Sequence, residues 1–143
     1  MTYVKSYTYG GLIPPLAYVL LPSSLFMSQT LQSLTFTYTC MIIVFISGIH
    51  WHIGLINKQD KPLLFSICIM LSTFIVCTYS LNNSVSSFSW LAVIIFLIMI
   101  YCFDYLLSKK NMIDVKFLLL RRNVSSAYVL IISVIMARTY LQL

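Results

Sequence analysis

Charge is what this sequence has least of. Only 8% of its 143 residues are charged, and three are acidic, whereas soluble globular chains carry roughly 25%; a water-soluble domain is excluded. Catalytic signatures are missing too. There is no glycine-rich phosphate loop, no nucleophile elbow, no His-Glu-x-x-His zinc motif and no aspartate pair, which makes an enzyme the least favoured class. The four cysteines, Cys40, Cys68, Cys77 and Cys102, show no Cys-x-x-Cys spacing for a redox or metal site and read as small membrane-core residues. By depth Cys40 would meet Cys77 and Cys68 would meet Cys102. No internal repeat, low-complexity tract or inverted symmetry of the transporter kind is present.

What fills the chain instead is apolar: 60% hydrophobic residues and a mean hydropathy of +0.94. A membrane-crossing helix takes about 20 mostly apolar residues. Windows of that size fall at 9–27, 34–55, 62–81, 88–107 and 124–141. The expected fold is therefore an all-α integral membrane protein, a single domain over 1–143 forming a compact up-down bundle of five transmembrane helices. Short connections make consecutive helices antiparallel neighbours. Pro14, Pro15 and Pro22 interrupt the first span, each removing a backbone donor, so a kinked helix is expected there. The broken apolar run and the lack of a small-x-small cleavage site argue against a signal peptide.

The balance is +6, which in a soluble protein would suggest nucleic acid; beside apolar spans, basic residues are topology determinants instead. With five spans Lys5, Lys58, Lys61, Lys109, Lys110, Lys116, Arg121 and Arg122 share one face, and the loops at 28–33 and 82–87 carry no charge. The positive-inside rule then puts the N-terminus inside and the C-terminus outside. Arg138, alone near the outer end, is expected to snorkel outward. Residues 112–120 are apolar enough to form a short helix along the cytoplasmic surface.

Ionisable groups within spans are costly and usually face the interior. Three stand out, His50, His52 and Asp104, all at cytoplasmic depth. Asp104 lies in the last turn of its helix, where the macrodipole disfavours a carboxylate, so it needs a partner. Arg121, Arg122, Lys109, Lys110 and a protonated histidine are candidates, and arginine offers the best two-pronged geometry. The histidines are two residues apart, about 200° around a helix, so they cannot grip one iron or zinc; no metal or cofactor is expected. The polar layer also takes in Gly11 and Pro14 at the irregular head of the first span, and Tyr101. Gly11, Pro14, His50, His52, Tyr101, Asp104, Arg121 and Arg122 together bound the expected ligand site. Ser126, Ser133 and Ala137 share one face of the last helix, a spacing that suits close packing. The 15% aromatic content suits a flat ring ligand and equally suits interfacial belts.

Four short stretches carry a resemblance: Tyr9-Gly10-Gly11-Leu12-Ile13-Pro14, Ile46-Ser47-Gly48-Ile49-His50-Trp51, Tyr101-Cys102-Phe103-Asp104 and Lys116-Phe117-Leu118-Leu119-Leu120-Arg121. In this order they resemble the transmembrane protein 69 family, a domain of unknown function found in proteobacteria and mitochondria, over roughly residues 7–140. That family's second span ends in Phe-Leu-Gly-Gly-x-Arg/His-Trp-Gly. This chain keeps Gly48, His50 and Trp51 but has Ser47 at the first glycine and His52 at the last. The resemblance implies a small polytopic protein and supplies no reaction.

Three functions are consistent with these features. The first is a non-enzymatic accessory or assembly subunit of a membrane complex. The second is a carrier or binder of a quinone, lipid or small anionic molecule at the polar layer. The third is a lipid-modifying enzyme with a histidine base. The expected setting is the bacterial inner membrane, with the mitochondrial inner membrane as the alternative, and the expected partners are bilayer lipid and other membrane subunits, not nucleic acid.

Overall fold

The computed structural model describes residues 9–141, with the Leu141 side chain left aside. Every described element is a helix: α1 (Ile13–Val19), α2 (Ser23–Phe26), α3 (Gln29–Asn57), α4 (Asp60–Asn83), α5 (Ser87–Lys109) and α6 (Val115–Leu141). The last four are long and apolar enough to cross a membrane. They contain the apolar windows and extend past them, because hydropathy marks only the stretch that avoids water, whereas a helix runs on until its backbone is stopped. At α3 the stop is Lys58 in the left-handed region (φ 51°), with the Gln59 N–H donating to the Gly54 carbonyl at 2.9 Å. At α5 the start is a capping box in which Ser86 and Ser89 exchange side-chain and backbone bonds.

Two sequence expectations about the last helix are corrected. Residues 112–120 do not form a separate surface helix: Asp114 accepts from the Lys116 and Leu118 N–H groups and starts α6 at Val115, and Leu120, Arg121 and Arg122 continue it unbroken. No glycine or proline interrupts that run. Ser126, Ser133 and Ala137 face outward, while Arg121, Val124, Tyr128, Ile132 and Ile135 form the buried stripe. The inward face goes to the side chains with more apolar area to bury.

Close packing by small residues occurs elsewhere, along α3 and α4. Their buried positions include Ser47 and Gly54 on one helix and Ser66, Thr73 and Ser80 on the other. Small residues let two backbones approach. Ser66 Oγ donates across the seam to the Ser47 carbonyl at 2.6 Å, and a Cβ at Gly54 would come within 3.0 Å of the Leu63 nitrogen.

Helices α3 and α5 run in the same direction and touch at both ends. Phe36 meets Trp90 edge to face at 5.1 Å, and His50 meets Asp104 at 2.7 Å. Each pair is separated by 14 positions from the other on its own helix, about 21 Å, so the two helices stay in register throughout. The end that holds His50 and Asp104 also holds Lys58, Lys61, Lys109 and Lys110, and is called the charged end below.

The expected first span is broken. It forms α1 and α2 with a bend at 20–22, where Pro22 adopts an extended conformation (ψ 153°) as the cap of α2. Helix α1 lies between α3 and α6. The Gly11 carbonyl accepts from Tyr128 Oη at 3.0 Å, while the Val19 and Leu21 carbonyls accept from Arg138 Nη1. Arg138 therefore turns inward rather than snorkelling out, because the bend leaves carbonyls free that only a nearby donor can satisfy. Its guanidinium also lies 4.2 Å from the Phe26 ring centroid, and Tyr18 stacks on the same ring at 4.7 Å. Tyr128 is ten residues before Arg138, about 15 Å along α6. The described first segment thus accompanies only the half of the bundle away from the charged end.

Candidate functional site

Each of three helices brings one ionisable residue inward at the charged end. On α3 the buried stripe Ile43, Ser47, His50 and Gly54 recurs every three to four residues. On α5 Leu97, Ile100, Asp104 and Leu107 do the same, and α6 contributes Arg121 one turn before Val124. The three polar side chains meet. His50 Nε2 lies 2.7 Å from Asp104 Oδ1, and Arg121 Nε lies 3.3 Å from Asp104 Oδ2.

Burial defines the chemistry of this triad. His50 and Asp104 are 0% exposed and Arg121 is 5% exposed. A lone carboxylate this deep would be prohibitively costly, and a matched cation offsets that cost only with good geometry and further hydrogen bonds. Arg121 supplies the opposite charge and His50 the hydrogen bond. A carboxylate oxygen only accepts, so His50 Nε2–H completes the set by donating to Oδ1. His50 Nδ1, Asp104 Oδ2 and Arg121 Nη2 are buried without a hydrogen-bond partner, so Arg121 meets Asp104 as an opposite charge and not through a hydrogen bond.

Aromatic rings close the site. The His50 ring stands edge-on to Phe65 (5.4 Å) and Phe103 (5.5 Å), which stack on each other at 4.0 Å with their planes 12° apart. Arg121 lies 5.2 Å from the Phe117 centroid. This packing keeps water out and strengthens every electrostatic interaction inside. Two of these walls were within reach of sequence reasoning: Phe117 lies one helical turn before Arg121, and Phe103 adjoins Asp104. Phe65 had no such signal, because its span contains no ionisable group to search around.

The eight residues expected to bound one pocket are distributed over several places. His50, Asp104 and Arg121 form the triad. His52 is exposed on the opposite side of α3 from His50, as the spacing of two requires. Gly11 sits beside Tyr128, two turns of α6 beyond Arg121, and Pro14 is exposed nearby. Both are drawn away from the charged end because the first segment follows the opposite half of the bundle. Tyr101 and Arg122 flank the triad on its outer side, where they line a separate groove of about 400 Å³ between α5 and α6. Among the described residues no group of three or more His, Cys, Asp or Glu is placed to hold a metal ion.

Compared with known proteins, the chain matches no family model, no curated protein and no solved structure.

Proposed function

We propose that this chain is a non-enzymatic accessory or assembly subunit of a membrane complex, in a bacterial inner membrane, crossing five times with its N-terminus inside and its C-terminus outside. The observation that carries this reading is the sealed triad. The ionisable cluster best suited to proton transfer or substrate binding is 0% exposed at two of its three members, and its charges face one another. Its work is to hold α3, α5 and α6 together. What remains for function is the outer surface, where α4, packed along α3 and touching α5, displays Leu64, Leu71, Phe74, Ile75 and Tyr79. Five crossings are supported by the segregation of basic residues, and by the first segment running beside α6 toward the end that carries Arg138.

The same proposal takes the chain as a divergent member of the transmembrane protein 69 family. In its support, His50, Asp104 and Arg121 each come from one of the short stretches that carry the resemblance, so three separate stretches would be explained by one structural unit.

Purification from mild detergent tests the proposal. A stoichiometric membrane-protein partner is the expected result. A chain that purifies alone, holding a quinone or lipid identified by mass spectrometry, would replace this reading with that of a carrier, which the α5–α6 groove supports.

A further inference from the structure

Arg122 follows directly on the arginine that the triad consumes, and the helix gives it the opposite outlook. One residue rotates the chain by about 100°, so Arg121 is buried while Arg122 is exposed. Among the described residues the side-chain ion pairs are His50 with Asp104 and Arg121 with Asp104; Arg122 has no carboxylate of its own. It stands at one end of the groove between α5 and α6.

That groove changes character along its length. Near the charged end its lining includes Arg122, Tyr101 and Ser126, and toward the middle of the bundle Leu97, Val129 and Leu130. From Arg122 to Leu130 is about 12 Å along the helix, close to the roughly 15 Å of one leaflet's hydrocarbon. A groove of about 400 Å³ and this length has room for a single acyl chain. Positive charge extends beyond the groove: Tyr101, Tyr105 and Lys109 follow one another at helical spacing on α5, with Lys109 Nζ 4.7 Å from the Tyr105 ring centroid.

We propose that the α5–α6 groove binds one anionic diacyl phospholipid from the leaflet at the charged end. An acyl chain lies along Leu97, Val129 and Leu130, the phosphate pairs with the Arg122 guanidinium, and the Tyr101 and Ser126 hydroxyls sit at the depth of the glycerol. Shape selects the tail and charge selects the headgroup. The site is independent of the accessory-subunit reading, since a lipid can be held with or without a protein partner.

Native mass spectrometry of the full chain in mild detergent, titrated with phosphatidylglycerol or phosphatidylcholine, tests this directly. The wild type retains one phosphatidylglycerol, preferred about fivefold over phosphatidylcholine, the share expected of one basic side chain at a charged surface. Arg122→Gln brings the two lipids to equal retention. Ser126→Trp, which fills the groove from an exposed position, abolishes retention of both, and Leu130→Trp serves as a second filling variant if the first unfolds by circular dichroism. Inorganic phosphate alone displaces nothing. Equal retention of the two lipids by the wild type would overturn the proposal, as would unchanged phosphatidylglycerol retention in Arg122→Gln and a folded filling variant. Displacement by inorganic phosphate would reduce the site to a bare anion contact, and a protein partner cross-linked in the groove through Ser126→Cys would replace the lipid; either result also overturns it.

Discussion

Removing the carboxylate of Asp104 should destabilise the bundle far more than an exposed aspartate would permit. Asp104→Asn keeps size and shape, and the amide can still meet His50, but Arg121 is left 5% exposed with no counter-charge. An exposed ion pair contributes about 0 to 1 kcal/mol, whereas orphaning one member of a desolvated pair costs about 3 to 5 kcal/mol. The 3.3 Å separation and the burial put this pair in the second regime. Arg121→Gln should cost about the same, because the carboxylate is then the orphan. The double variant should lose about as much as either single one, not their sum, since no isolated charge remains. Unfolding free energies from denaturant titration in detergent, followed by circular dichroism, would yield a coupling energy of about 3 kcal/mol. Additive losses, with a coupling below about 0.5 kcal/mol, would refute the argument and leave Asp104 without an energetic partner.

His50→Phe should cost less, about 1.5 to 3 kcal/mol for one hydrogen bond to a charged group, and the same titration checks it. Gly54→Ala places a Cβ 3.0 Å from the Leu63 nitrogen and 3.1 Å from the Gln59 carbonyl, forcing the α3–α4 turn apart at a cost of about 1 to 3 kcal/mol; Lys58→Gly, at a left-handed position, should gain a few tenths to about 1 kcal/mol in the same assay. Reporter fusions after Lys58 and after Leu143 should report opposite sides of the membrane, because α4, α5 and α6 lie between them; the same side for both would mean that one of these three helices does not cross.

The four long helices were legible because apolar runs of this length have few alternatives in a membrane. The need of Asp104 for a basic partner could be read as well, since a lone carboxylate at that depth demands one. Which partners it takes could not. His50 and His52 are equal candidates until the helix rotation is known, and only the packing of α3 against α5 selects His50. The inward face of α6 was misread for a related reason. That helix is apolar nearly all round, so its small residues can be found in sequence while the side they face cannot. The three prolines announced a broken first span but not its depth, which is set by Tyr128 and Arg138 more than a hundred positions away.

That distance bears on how the protein is made. The carbonyls freed at the bend between α1 and α2 are satisfied by Arg138, 119 positions from Val19 and 117 from Leu21. During synthesis the first segment emerges with these groups unpaired and must wait for the final turns of the last helix. A polar gap in hydrocarbon is costly, so until then the segment is held best at the membrane surface or among waters at its edge. Synthesis of α6, rather than insertion of each hydrophobic stretch in turn, would set the moment at which the α1–α2 bend is locked into the bundle. A variant without the Arg138 side chain would carry an intact triad and an untethered α1–α2 bend.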